Sequence, residues 1–160
     1  MHTSNRYWIL LLPLLLGRCS CHATYQHTRV LPAAQWPTAL LPAFQFAIQE
    51  AAQPYDVYLL MDITPDYPFQ NLHVTYYLKN YADEVLQEAL KTYSLFDATT
   101  GKPLGNGWGS TKRHVVKLLG NYQFAQPGTY TLQLAQFMRT DTLAGIAAVG
   151  IKITRANPGP

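Results

Sequence analysis

A chain of 160 residues holds one ordinary domain, and 48% hydrophobic, 12% aromatic and 13% charged residues exclude a disordered protein, which has the opposite balance. Twelve Lys and Arg face nine Asp and Glu; loss of Arg6 and Arg18 with a leader leaves ten against nine. This near-neutral balance speaks against a nucleic-acid binder: the one concentrated basic run, Lys112, Arg113, His114 and Lys117, reads as a solvated strand end rather than a phosphate site.

The chain opens as a leader. After Arg6, "WILLLPLLLG" gives an uncharged stretch from Trp8 to Gly17. At about 1.5 Å per residue a helix of that length covers about half of the ~30 Å hydrocarbon core, so it reads as a secretory signal and not as a transmembrane span. Two cysteines follow, Cys19 and Cys21. A disulfide between them closes a ring around one residue and staples nothing. A zinc site lacks ligands, because beyond His22 and His27 only His73 and His114 are at hand. A lipid attachment site at the end of the leader is the reading that remains, against the alternative of an ordinary cleaved signal peptide. Cys21, preceded by the small Ser20, is the preferred thiol; Cys19, preceded by the long cation Arg18, is the second choice. Acyl chains on either thiol hold a protein to a membrane, since two chains suffice for stable anchoring.

The expected domains follow in order: signal peptide over residues 1–20, tether or irregular arm over 21–41, β-sandwich over 42–155 and a short tail over 156–160. Pro32 and Pro37 and the lack of a sustained period mark the arm. Beyond it a period of two dominates. Phe44, Phe46 and Ile48 share one face; so do Tyr55, Val57, Leu59, Met61 and Ile63; so do Leu72, Val74, Tyr76 and Leu78. The segment "ADEVLQEALK" is expected to form one or two helical turns with a thin stripe of Val85, Leu86 and Leu90. Later strands place Tyr130, Leu132 and Leu134, then Val149, Ile151 and Ile153, on single faces. Turn signals in "ITPDYPFQN", "DATTGKPLGNGWGS" and "AQPGT" separate the runs. Seven or eight short alternating strands predict an all-β protein, a single antiparallel β-sandwich of jelly-roll or immunoglobulin-like type.

No catalytic set can be assembled from the sequence. Asp56 and Asp62 share a strand face, but their spacing of about 20 Å along a strand is too long for paired carboxylate chemistry. Asp62 and Asp66 flank Thr64 and Pro65 as turn residues rather than half a calcium loop. His73 falls on the polar side of its strand and is expected to face solvent. Gly105, Gly107 and Gly109 surround Trp108 without the strand and helix that a dinucleotide loop needs, so a hairpin or bulged loop is expected, with Trp108 either packed on it or exposed as a contact. In "QFMRTDTLAG", Arg139 and Asp141 sit on a connection between strands, either as a pair closing a turn or as part of a partner-binding loop. No metal ligands or cofactor are assigned.

The blocks "DYPFQNLHV" and "QFMRTDTLAGIAAVGIKI", joined by "GKPLGNGWG" and "PGTYTLQL", resemble the gliding-motility lipoprotein family GldH from about Phe44 to Ile153. One departure is Pro103, where the family has an aromatic residue after "GK". The matching residues are Tyr67, Pro68, Asn71, Gly128, Tyr130, Gln136, Met138, Arg139, Leu143, Gly145, Ile146, Val149 and Gly150, and they read as fold and loop determinants. The resemblance implies a non-enzymatic, lipid-anchored envelope protein of gram-negative gliding bacteria, with motility and secretion proteins as partners. Its expected location is the periplasmic face of the outer membrane. Met138, Arg139, Asp141, Leu143 and Trp108 are the expected partner contacts. The alternative is an envelope glycan-binding sandwich that stacks sugars on Trp108, Tyr58, Tyr77 or Tyr81.

Overall fold

The computed structural model describes residues 25–107 and 109–156. Cys19, Cys21 and Trp108 therefore lie outside the described residues. Ten strands form: β1 (Tyr25–Val30), β2 (Gln35–Pro37), β3 (Ala43–Ile48), β4 (Pro54–Ile63), β5 (Asn71–Lys79), β6 (Val85–Ser94), β7 (Lys112–Gln123), β8 (Gly128–Gln136), β9 (Thr142–Ala144) and β10 (Ile146–Arg155). One four-stranded sheet runs β1-β10-β4-β7, a second runs β3-β8-β5-β6, and β2 and β9 form a small ribbon. All pairings are antiparallel.

Setting the short ribbon aside, the eight long strands numbered along the chain lie in the orders 1-8-3-6 and 2-7-4-5. First pairs with last, second with seventh, third with sixth and fourth with fifth. This nested winding is a jelly roll, which decides between the two sandwich types expected.

The alternation read from the sequence builds the interior. Val57, Leu59, Met61 and Ile63 of β4 and Val149, Ile151 and Ile153 of β10 meet Phe44, Phe46 and Ile48 of β3, Leu72, Val74, Tyr76 and Leu78 of β5, and Tyr130, Leu132 and Leu134 of β8 in one buried cluster. Each such side chain contributes about 1.5–3 kcal/mol by leaving water. Phe124 joins the aromatic end of this core, its ring centroid 4.6 Å from that of Tyr130 and 4.8 Å from that of Tyr122.

Two expectations are corrected. The expected arm is part of the sandwich from Tyr25 onward: β1 pairs with β10 in register from Tyr25↔Ile153 to Val30↔Ala148. Its sequence shows little alternation because no residue of β1 is fully buried, whereas Trp36, in the same stretch, is wholly buried. The expected helical turns are strand β6, paired with β5 from Asn71↔Ser94 to Lys79↔Val85. Asn80 explains the switch. Its Oδ1 accepts hydrogen bonds from the backbone N–H of Ala82 at 2.9 Å and Glu84 at 3.0 Å, closing a hairpin turn with Asp83 in the left-handed region (φ 62°). A short amphipathic segment has no helix stability of its own, so pairing with β5 decides its conformation.

Candidate partner-binding end of the sandwich

The register gives the sandwich two ends. At one lie Tyr25, where the described chain begins, and Arg155 near its close, together with the β3–β4 and β5–β6 turns. At the other lie the connection between β4 and β5, the long loop before β7, the β2–β9 ribbon and the Met138–Leu143 segment.

This second end is held from inside. Gln136 continues the inward period of Tyr130, Leu132 and Leu134, is 4% exposed, and uses its amide on the connection that follows: Nε2 donates to Thr140 O at 3.0 Å and Oε1 accepts from Met138 N–H at 2.7 Å. The segment is thus closed by a buried amide. Arg139 and Asp141 do not pair with each other, and among the described residues neither forms an ion pair. Asp141 contributes its backbone instead, its carbonyl accepting from Thr38 N–H at 2.8 Å.

Below this segment, Gly145 adopts φ +82°, and a Cβ there would collide with the backbone of Tyr67. The approach lets Thr64 N–H donate to Gly145 O at 2.9 Å. Tyr67 is buried, stacks on Phe96 with a 13° interplanar angle and donates its hydroxyl to Asn71 O at 2.7 Å. Burial pushes its phenol pKa well up. Tyr67, Asn71, Gln136 and Gly145 therefore form one scaffold beneath the loop.

The expected contact residues separate on this scaffold. Leu143 is fully buried opposite Trp36 in the ribbon, which removes it from any contact surface. Met138 is half-buried, its Sδ accepting from His73 N–H at 3.3 Å. Arg139 and Asp141 are exposed. Phe137 is an addition to the expected contact set, and Gln136 holds the loop beneath it. Extending the period of β8 by one step points Gln136 inward, and its neighbour Phe137, 65% exposed, then points out.

The remaining polar candidates pair with one another. Asp62 on β4 receives Arg113 on β7 in a two-pronged contact, Nε–Oδ1 2.7 Å and Nη2–Oδ2 2.6 Å. This contact raises the guanidinium pKa further. Asp56 receives Lys117 Nζ at 2.8 Å, Asn121 N–H at 2.9 Å and the Tyr58 hydroxyl at 3.1 Å. Burial pushes the Asp56 pKa up, but these hydrogen bonds outweigh it and leave the carboxyl below its ordinary range. Arg113 and Lys117 of the basic run and the spaced carboxylates thus neutralise each other across β4 and β7, while Lys112 Nζ donates to Gly107 O at 2.9 Å. His114 of that run points inward instead of into solvent: it is 4% exposed, packs against Gly105, and is kept neutral by burial, which lowers its pKa. His73, half-buried, shares a 2.8 Å hydrogen bond with Thr92 Oγ1.

The rings proposed for sugar stacking do not share a face. Tyr58 sits on the outer side of the first sheet with Lys117 Nζ 5.5 Å from its ring centre, while Tyr77 belongs to the second sheet. Among the described residues no three of His, Cys, Asp and Glu gather in metal-binding distance, and no helix is long and apolar enough to cross a membrane.

Fold and site together define a small antiparallel jelly roll whose polar clusters are ion pairs and turn closures. The chain belongs to the GldH lipoprotein family, whose model matches residues 23–153. A relative from Christiangramia forsetii, described as a gliding motility lipoprotein GldH homolog, is 25% identical over 132 residues, covering 77% of this chain and 79% of the relative. In shape the chain is similar to the VP2 subviral particle of infectious bursal disease virus (TM-score 0.44, 12% identity, 94% of this chain) and to the Gx strain of that virus (TM-score 0.44, 12% identity, 96% of this chain). It spans 37% and 38% of those chains.

Proposed function

We propose that this protein is a non-enzymatic, lipid-anchored component of the cell envelope that acts through protein contacts in gliding motility and the secretion machinery linked to it. The carrying observation is the polarity of the sandwich. Strand β1 begins at Tyr25, so only residues 22–24 separate it from Cys21. At about 3.5 Å per residue, an acyl chain on Cys21 holds the Tyr25 end within about 14 Å of the lipid-bearing residue. The Met138–Leu143 end then faces away from the membrane, about 33 Å along a strand as long as β4. Cys19 as the attachment point lengthens the tether without changing this orientation. On this reading the protein sits on the periplasmic face of the outer membrane, and confinement to a plane raises its effective concentration toward similarly anchored partners.

The test has two arms. Mass spectrometry of the mature N-terminus should find a diacylated Cys21; an unmodified cleaved chain would remove the anchor. Arg139→Ala combined with Asp141→Ala should abolish a gliding or secretion phenotype while the protein stays folded and abundant. An unchanged phenotype at normal abundance would sink the contact role.

A further inference from the structure

Beside the Met138–Leu143 segment, on the outer side of the second sheet, lies a groove of ≈ 430 Å³ lined by Phe69, His73, Leu90, Phe137, Met138 and Arg139. Phe137, Leu90 and Phe69 are 65%, 51% and 38% exposed, an unusual concentration of large apolar side chains at one spot. The groove is pre-formed: Phe137 N–H donates to His73 O at 2.9 Å, His73 N–H to Met138 Sδ, and Met138 N–H to Gln136. A ligand seated there orders little of the protein, which favours affinity.

Arg139 is the only acid or base of fixed charge on this lining, and it has no carboxylate partner among the described residues. A guanidinium at the rim of an apolar floor is complementary to an apolar side chain followed closely by a carboxylate. We infer that the groove docks an exposed segment of another envelope protein, one carrying an aromatic or branched aliphatic residue within a position or two of Asp or Glu. The inference rests on the contact role proposed above and assigns it a ligand chemistry.

A second copy of this chain is the weaker occupant. Its described segment of similar chemistry is β6 with the turn before it, where Tyr81, Val85, Leu86 and Leu90 are exposed: Asp83 is engaged by Lys79 Nζ at 3.0 Å, Glu84 by Asn80 Nδ2 at 2.6 Å, and the exposed Glu88 lies two positions from Leu90 on the strand that itself walls the groove. That turn also lies at the Tyr25 end, so a groove-to-turn contact stacks copies away from a shared membrane plane.

The experiment pans random phage-displayed peptides on the full mature chain, then measures selected synthetic peptides by fluorescence anisotropy. Peptides pairing an apolar residue with Asp or Glu should be enriched, and Leu90→Lys or Arg139→Gln should weaken them about tenfold, the scale of one charge-assisted hydrogen bond. Panning on Arg139→Glu should replace the selected acid by Lys or Arg. Leu90, Phe137 and Arg139 are exposed, so these variants keep the fold, checked by circular dichroism. Selection without an acid, or equal binding by the groove variants, overturns the inference. So does self-association in the ultracentrifuge that Leu90→Lys abolishes. If groove variants bind normally while the Arg139/Asp141 double variant still loses its phenotype, the contact role survives and the groove does not. Peptide binding lost in groove variants, with no phenotype from the double variant, upholds the groove and overturns the role in motility or secretion.

Discussion

The two ends of the sandwich are closed by different physics. At the Tyr25 end the polar closures are local or superficial: Asn80 folds its own turn, Lys79 and Asp83 pair four residues apart, and Arg155, partly exposed, meets an exposed Glu50. At the Met138 end, closure is made in the interior: Gly145 packs on Tyr67 and Trp36 lies opposite Leu143, pairs far apart in sequence, and the buried amide of Gln136 holds Thr140 four positions on. The polar closures of the first end tolerate change because water replaces each lost partner. The second end does not, because its loops are shaped by close contacts and buried amides, and the exposed groove inherits its geometry from them.

Substitutions can break this contrast. Gly145→Ala should cost the most, about 3 kcal/mol, because it adds left-handed strain to a collision with the Tyr67 backbone. A urea midpoint unchanged from wild type would mean that the two segments are not in contact. Gln136→Leu keeps the volume but strands Met138 N–H and Thr140 O, costing about 2 kcal/mol in the same titration. It should also shift the NMR signals of Phe137 and Arg139, whereas a purely local loss would leave them in place.

His114 adds pH dependence to that half of the molecule. Burial lowers its pKa below the ordinary 6.5, so the unfolded chain binds the proton more readily. Its contribution to stability is complete above pH 6.5 and is lost as pH falls through that value toward the folded pKa. His114→Asn should flatten the stability difference between pH 7 and pH 5, and an equal acid loss in the variant would assign that loss to other groups. The smallest effects belong to the Tyr25 end. Asn80→Ala should cost about 1 kcal/mol by releasing two turn hydrogen bonds. Glu50→Ala should stay within about 0.5 kcal/mol, because its pairing with Arg155 is exposed on the Glu50 side.

Legibility in the sequence follows the same division. The inward faces of β3, β4, β5, β8 and β10 are readable because a period of two is a local property and each of these strands buries one whole face. Strands β1 and β6 are not: neither buries a residue fully, the partner of β1 is β10 at the other end of the domain, and the helix-like stripe of β6 masks the Asn80 turn that pairs it with β5. At the candidate site, the segment around Arg139 stands out by its family-like pattern, while the inward step to Gln136 lies in the alternation one position beyond the Leu134 face. Arg113 and Lys117 read as a basic run because their carboxylates, Asp62 and Asp56, lie more than fifty residues earlier. The burial of Leu143 depends on Trp36, which no spacing rule connects to it.

The pairing of Tyr25 with Ile153 also governs how the molecule comes into being. The outermost pair of strands in the nested winding joins the beginning of the domain to its end, so one sheet lacks its central β10 until nearly all of the chain has been delivered. Such long-range closure makes for slow, late folding and leaves little chance of a stable partial product. The first sheet is therefore open along its middle until β10 is in place, and the domain closes only with the last strand it receives.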